Sequence, residues 1–182
     1  LIARGNIEAE ELSELLADIV ADGHRAREVI EGIRNMVRRT EATHAPIQTE
    51  EILQDLLRMV RADALAKNVT ITMEIEPNVG SLMGDRVQLL QVFLNLTLNA
   101  FEAMSVMRAD TRRLLIRAHR SGSSEVLVSV RDSGPGFPGG LAEQLFEPFF
   151  STKAEGTGMG LAIARSIVMT HGGSVSGANC ED

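Results

Sequence analysis

The sequence is short of cysteine, tryptophan, tyrosine and lysine. Its one cysteine, Cys180, cannot form an internal disulfide, which excludes a disulfide scaffold and fits a reducing compartment. No apolar run reaches the roughly 18 to 20 residues that span a bilayer, and no basic segment with a cleavage site opens the chain. Because 25 acidic residues outnumber 18 basic ones, the net charge of −7 argues against a nucleic-acid or anionic-membrane surface as the main partner.

The composition is that of a folded protein. Apolar residues make up 44% and charged residues 24% of the 182 residues, close to the averages for globular proteins. This length supports one to two domains and one sizeable core. Since the chain starts at Leu1 rather than at methionine, we expect it to be a piece of a longer protein.

A heptad pattern occupies the start of the chain. Apolar or small residues are spaced alternately by four and three positions: Leu12, Leu16, Ile19, Gly23, Ala26, Ile30, Ile33 and Val37. The spacing predicts one long helix that buries a stripe against other helices. No second helix of similar length is predicted, so its partners are expected in another subunit or upstream of Leu1. We therefore divide the chain into a helical domain, residues 1–45, and a second domain, residues 46–182.

The second domain alternates helices and strands without a regular β-α-β-α order. Helices are predicted over residues 50–66, 85–104 and 158–170, and strands over 69–75, 114–119, 125–131 and 174–176. Asp85, followed three residues later by Gln88, is a predicted N-terminal capping box. Residues 132–157 are rich in glycine and proline and are predicted to be irregular. This order of elements favours a mixed sheet covered by helices, an α/β sandwich.

Two glycine clusters flank the irregular segment: the first glycine loop, residues 132–136, and the second glycine loop, residues 156–161. The second precedes a predicted helix, where bare main-chain N–H groups can approach a phosphate at the positive end of the helix dipole. A polyphosphate site is the leading hypothesis, and glycines that serve only turn geometry are the alternative.

Other phosphate-binding patterns fit poorly. Neither lysine of the chain follows a glycine, which excludes a P-loop. Gly134, Gly136 and Gly139 match the glycine spacing of dinucleotide-binding loops, but Pro138 opposes a helix there and no βαβ unit surrounds them.

The helix predicted over residues 85–104 carries a polar face. Asn95, Asn99 and Glu102 lie at positions i, i+4 and i+7, so they share one side of an otherwise apolar helix. Because Mg²⁺ accepts amide oxygens and keeps water and phosphate oxygens as its other ligands, we predict Asn99 as a magnesium ligand. An asparagine that bonds a neighbouring main-chain group is the alternative.

Four segments resemble the N, G1, F and G2 boxes of sensor histidine kinases and follow one another in the order found in that family: residues 95–103, 132–136, 145–150 and 156–161. The resemblance covers about residues 46–179. It implies the Bergerat-type ATP-binding fold that these kinases share with gyrase-type and Hsp90-type ATPases. It also implies ATP and Mg²⁺ as cofactors.

The resemblance assigns roles to individual residues: a magnesium ligand, Asn99; an adenine-reading carboxylate, Asp132; glycines that let the main chain approach the base, Gly134 and Gly136; lid residues, Phe149 and Lys153; and phosphate-contacting residues, Gly156, Thr157, Gly158, Met159, Gly160 and Leu161. Lys153 is either a γ-phosphate contact or a solvated lysine. Asn95 occupies the position where gyrase-type ATPases carry a water-activating glutamate. Since an amide is no general base, phosphoryl transfer to a protein acceptor is expected rather than hydrolysis.

The acceptor of that phosphoryl group is missing. In the family it is a histidine followed by an acidic residue, and none of the four histidines fits: His24, His44, His119 and His171. The long N-terminal helix resembles the second helix of the family's dimerisation hairpin. We therefore expect a fragment that binds Mg-ATP without phosphorylating itself.

The intact protein is expected to be a cytoplasmic homodimer that passes the phosphoryl group to a histidine and then to a response-regulator aspartate. Any membrane attachment would come from segments outside this chain. Two alternatives remain: a Bergerat-fold ATPase that hydrolyses ATP, and a degenerate, non-catalytic dimerisation or nucleotide-sensing module.

Overall fold

A computed structural model describes residues 44–122, 124–151 and 156–180 of the chain. The heptad helix lies outside the described residues, so the division into two domains stays a prediction. The described elements include five strands, β1 Ala45–Gln48, β2 Thr70–Ile75, β3 Ser81–Gly84, β4 Arg113–Ser121 and β5 Glu125–Asp132, and three α-helices, α1 Thr49–Ala66, α2 Arg86–Ala103 and α3 Gly160–Thr170. Three short 3-10 helices, Met104–Val106, Ala109–Thr111 and Gln144–Phe146, lie in the connections.

The main sheet has three strands in the order β2–β4–β5. Strand β2 runs parallel to β4, and β4 and β5 form the predicted antiparallel hairpin. Alternate residues of β4 face the helices, and Leu114, Ile116 and Ala118 are buried there, while Arg117 is exposed on the opposite side. One face of this mixed sheet is therefore covered, as the predicted α/β sandwich requires.

Helix α1 covers the sheet through one apolar stripe. Ile52, Leu53, Leu56 and Val60 recur at helical spacing and are completely buried. The helix ends two residues before Asn68, whose φ of +54° is a left-handed conformation that asparagine tolerates. The predicted helix and its end are both confirmed.

Helix α2 begins with the predicted cap, completed in an unexpected way. The Asp85 carboxylate accepts from the N–H groups of Val87 at 2.9 Å and Gln88 at 3.0 Å. In a capping box the Gln88 side chain would bond the Asp85 N–H group. Here the Asp85 N–H donates to Nε2 of His171 at 3.0 Å, so a residue from the end of α3 replaces Gln88.

The segment Arg86–Val106 is long and apolar enough to meet the length and composition of a membrane span, with a mean hydropathy of 1.3. In the structure, α2 packs against the sheet on one side and against α3 on the other. Burial on two sides explains why this helix is so apolar. Its polar residues nevertheless interrupt every long apolar run.

Two features differ from the sequence-based expectation. Strands β1 and β3 form an unpredicted antiparallel pair, in which Ala45 lies opposite Gly84. The strand predicted over residues 174–176 is wrong, because these residues have no strand conformation and pair with no strand among the described residues. A ladder needs a partner strand at hydrogen-bonding distance, which the local alternation of residue types cannot supply.

Candidate functional site

The polar face of α2 meets the start of α3. Asn95 is half-buried, and its Nδ2 atom donates to the carbonyl oxygen of Gly160 at 3.0 Å. Asn99 lies one helical turn further along α2 and is also half-buried. At the other end of α3, His171 accepts from the N–H of Asp85, the residue before α2. The two helices therefore run antiparallel and are joined by two hydrogen bonds, one at each end of α3.

The first glycine loop leaves the end of β5. The Asp132 Oδ1 atom accepts from the N–H of Gly134 at 2.7 Å, which sets the orientation of the carboxylate. A side chain on Gly134 would lie 3.3 Å from the Cβ of Ala103, so the loop runs close beside the last turn of α2. This packing places Asp132 near the C-terminal end of the helix that carries both asparagines.

Ser133 fixes this loop to the body of the domain. Its hydroxyl donates to the carbonyl of Thr111 at 2.8 Å and accepts from the N–H of Arg113 at 2.9 Å. The Ser133 N–H donates in turn to the Arg113 carbonyl at 3.0 Å. The first glycine loop is therefore held mainly by hydrogen bonds.

The second glycine loop turns sharply into α3. Gly158 has a φ of +65°, and a Cβ on it would lie 2.6 Å from main-chain atoms of both Phe149 and Phe150. Only glycine fits this conformation and this contact. The next residue, Met159, is 1% exposed and packs with Val92 and Ile163. Its side chain thus belongs to the core, which leaves its main chain for the predicted phosphate contact.

Helix α3 begins without a cap from its own N-cap side chain. The Met159 side chain makes no cap bond, and the main-chain ladder begins with Ile163 N–H donating to the Met159 carbonyl at 2.9 Å. The N–H groups of Gly160, Leu161 and Ala162 precede that bond, and they point out of the positive end of the helix dipole. An anionic group is favoured there.

The aromatic segment, residues 145–150, contains side chains in different environments. Phe146 is buried and lies next to Gly177. Phe149 is 67% exposed and has a φ of +66°, a conformation that is unfavourable for a bulky residue. Phe146 therefore anchors the segment, whereas Phe149 is presented to solvent. Lys153 lies outside the described residues.

The donor set suits magnesium bound together with phosphate. In the described ranges, no three His, Cys, Asp or Glu side chains are placed to hold a metal ion. Mg²⁺ commonly binds through one or two protein oxygens, with water and substrate phosphates completing its shell. An amide oxygen of Asn99 near the N-terminal end of α3 fits this mode, whereas an all-protein cage does not.

Sequence reasoning missed three residues that hold the site together. His171 joins the ends of α2 and α3, and Asn179 bonds the main chain of Phe137. Arg112 donates to the carbonyls of Lys67 at 2.7 Å and Ser105 at 2.9 Å, near the C-terminal ends of α1 and α2. Each makes contacts distant in sequence, and no local pattern indicated them.

The fold and these loops define a class of ATPase. A family model described as histidine kinase-, DNA gyrase B- and HSP90-like ATPase matches residues 84–181, more than half of the 182 residues. The chain therefore belongs to this family, and the α/β fold class expected from the resemblance is confirmed.

Similar proteins within the family are sensor histidine kinases. TmoS of Ectopseudomonas mendocina is 34% identical over 166 residues, covering 91% of this chain and 17% of that protein. ZraS of Klebsiella oxytoca is 32% identical over 168 residues, covering 92% of this chain and 35% of that protein. The chain thus spans about a third or less of the length of these relatives, and the predicted resemblance to sensor histidine kinases is confirmed.

Solved structures of histidine kinases share the fold. Full-length ShkA in complex with AMPPNP gives a TM-score of 0.75 at 24% identity, covering 96% of this chain and 37% of that one. ThkA in complex with the response regulator protein TrrA gives 0.79 at 24% identity, covering 96% of this chain and 49% of that one. At these identities the likeness shows the fold alone.

Proposed function

We propose that the chain binds Mg-ATP between α2, the two glycine loops and the aromatic segment, as the catalytic part of a sensor histidine kinase. The observation that carries this proposal is the bond from Asn95 to Gly160, which holds the positive end of the α3 dipole against the asparagine face of α2. The AMPPNP in the ShkA complex supports a nucleotide as the ligand.

Each part of the site has a distinct task. The Asp132 carboxylate accepts from the adenine amino group and repels the carbonyl that guanine carries at the same place. The main chain of residues 156–161 binds the phosphates, through glycines and the α3 dipole. Asn99 supplies an oxygen to Mg²⁺, and the bound ion neutralises phosphate charge.

The site favours transfer of the γ-phosphoryl group to a protein acceptor over hydrolysis of ATP. Asn95 uses its amide nitrogen to hold Gly160, and an amide cannot deprotonate water. In the full-length protein the γ-phosphoryl then passes to a histidine and on to a response-regulator aspartate. The ThkA complex with TrrA supports a response regulator as the partner. The chain itself offers no histidine followed by an acidic residue, so it does not phosphorylate itself.

The N-terminal part completes this assignment. We assign the heptad-bearing part of the N-terminal segment, which ends before strand β1, to the second helix of a dimerisation hairpin, because its heptad pattern requires a helical partner. The domain acts in the cytoplasm, where ATP and response regulators are found. Size measurement of the chain with and without residues 1–43 tests the dimer.

Calorimetry with Mg-ATP and Mg-GTP tests the nucleotide site. The unmodified chain binds Mg-ATP, and Asn99→Ala and Asp132→Ala each weaken binding at least about tenfold, since each loses a polar contact to a desolvated ligand. Asp63→Ala is the control, because it removes an exposed carboxylate from α1. A folded chain that takes up no Mg-ATP at millimolar concentration contradicts the proposal.

A further inference from the structure

The segment that follows α3 returns to the first glycine loop. The Phe137 N–H donates to Oδ1 of Asn179 at 3.1 Å, and Nδ2 of Asn179 donates to the Phe137 carbonyl at 2.6 Å. One side-chain amide thus pairs with both main-chain groups of one residue, as an opposing strand residue does in an antiparallel ladder. Through these two bonds Asn179 joins the segment after α3 to the first glycine loop.

Gly136 is shaped to accept this contact. Its φ is +70°, and a Cβ on it would lie 2.6 Å from Oδ1 of Asn179. A side chain at position 136 would therefore both strain the main chain and displace the amide. Gly136 and Asn179 are thus in close contact although they are 43 positions apart in the sequence.

The loop between Asp132 and Phe137 is consequently fixed at two ends. Ser133 attaches its start to the Arg113 and Thr111 main chain, and Asn179 attaches its end at Phe137. Between these anchors lies the main chain that runs beside the Asp132 carboxylate. Loss of the second anchor releases residues 135–137 while leaving the first in place.

We propose that Asn179 is a positioning residue for the base side of the nucleotide site. This inference rests on the proposed function, in which the first glycine loop contacts adenine. By holding Phe137, Asn179 keeps the loop in the conformation that receives the base, so that binding does not have to order it. Asn179 itself touches no nucleotide.

The test compares binding of Mg-ATP with binding of magnesium tripolyphosphate, which has no base, by calorimetry on the full 182-residue chain. Asn179→Ala removes both hydrogen bonds. Asn179→Asp keeps the volume and the acceptor but places a carboxylate against the Phe137 carbonyl. Both variants weaken Mg-ATP binding about three- to tenfold, as expected for the loss of one or two exposed hydrogen bonds that order a loop.

Tripolyphosphate distinguishes positioning from general destabilisation. We expect both variants to bind tripolyphosphate as tightly as the unmodified chain, since the second glycine loop and α3 are untouched. A partly unfolded domain would instead bind both tripolyphosphate and Mg-ATP more weakly. Ser176→Ala, an exposed change in the same segment, leaves both affinities unchanged.

Three results overturn the inference, and they can be told apart. If Asn179→Ala and Asn179→Asp bind Mg-ATP as tightly as the unmodified chain while Asp132→Ala does not bind it, the role of Asn179 is refuted and the nucleotide site stands. If both ligands weaken equally in the two Asn179 variants, the residue is merely structural. Failure of the unmodified chain to bind Mg-ATP refutes the proposed function and this inference together.

Discussion

The two glycine loops look alike in sequence, yet the structure holds them by different forces. The first is fixed by hydrogen bonds at Asp132, Ser133 and Phe137, and its residues are exposed or half-buried. The second is fixed mainly by packing, with Gly158 against the aromatic segment and Met159 in the core, and Asn95 adds a hydrogen bond to Gly160. In the first loop, glycine leaves the main chain accessible to a ligand. In the second loop, glycine lets the main chain pack closely against the aromatic segment.

This difference indicates which kind of substitution each loop tolerates least. Packing contacts tolerate no added volume, because interiors are close-packed. Exposed hydrogen bonds contribute modestly to stability but determine orientation. We therefore expect changes in the second loop to act on stability first, and changes in the first loop to act on nucleotide affinity first.

Gly158→Ala has the largest expected effect. Alanine is unfavourable at a φ of +65°, and its Cβ would overlap the main chain of Phe149 and Phe150. We expect a loss of about 3–5 kcal/mol in the free energy of unfolding, measured by urea denaturation. Gly139→Ala is the matched control, since nothing lies within 4 Å of its added Cβ and its φ is not left-handed. Equal stability of the two variants would show that the second loop is not packed as described.

Met159→Ala tests the same loop from its buried side. Removing a side chain that is 1% exposed leaves a cavity beside Val92 and Ile163. The expected loss is about 2–4 kcal/mol in chemical denaturation. Met169→Ala, which changes a 62% exposed methionine on α3, is expected to lose far less. The comparison fails if the two methionine variants are equally stable.

Ser133→Ala breaks the hydrogen-bonded anchor of the first loop. The Arg113 N–H loses its acceptor and the Thr111 carbonyl loses its donor, which costs about 1–2 kcal/mol in unfolding free energy. Ser176→Ala, at an exposed position, serves as the control. A loss as large as that of Met159→Ala would mean that packing also holds the first loop.

Gly134→Ala has the smallest expected effect on stability and a specific effect on binding. Its Cβ would lie 2.6 Å from Oδ1 of Asp132, the movable end of a side chain, and the φ of Gly134 is not left-handed. The added Cβ would also lie 3.3 Å from the Cβ of Ala103, a tight contact that a shift of a few tenths of an ångström relieves. The free energy of unfolding changes by less than about 1 kcal/mol. Because the carboxylate is displaced, Mg-ATP affinity falls about tenfold, as loss of one buried polar contact predicts. Unchanged affinity in calorimetry would remove Asp132 from the base-binding role.

Much of the fold was predictable from local patterns. The apolar spacing of α1, the Asp85 cap of α2 and the hairpin of β4 and β5 each follow from residues close in sequence. The glycines of both loops were identified for the same reason, because left-handed turns and helix starts carry local signatures.

The rest could not be predicted because it depends on residues far apart in the chain. Strands β1 and β3 have four residues each, too few for a clear alternation, and form by pairing with each other. Local alternation also wrongly predicted a strand over residues 174–176, where no partner strand is present among the described residues.

The sequence by itself determined the helices, the hairpin and the residue types that a nucleotide site requires, because periodicity, capping and glycine conformations act over a few residues. Only the tertiary structure decided that His171 completes the cap of α2, that Asn95 holds the start of α3 and that Asn179 pairs with Phe137. These contacts join positions 42 to 86 residues apart. A hydrogen bond across such a distance exists only once packing has brought its donor and acceptor together.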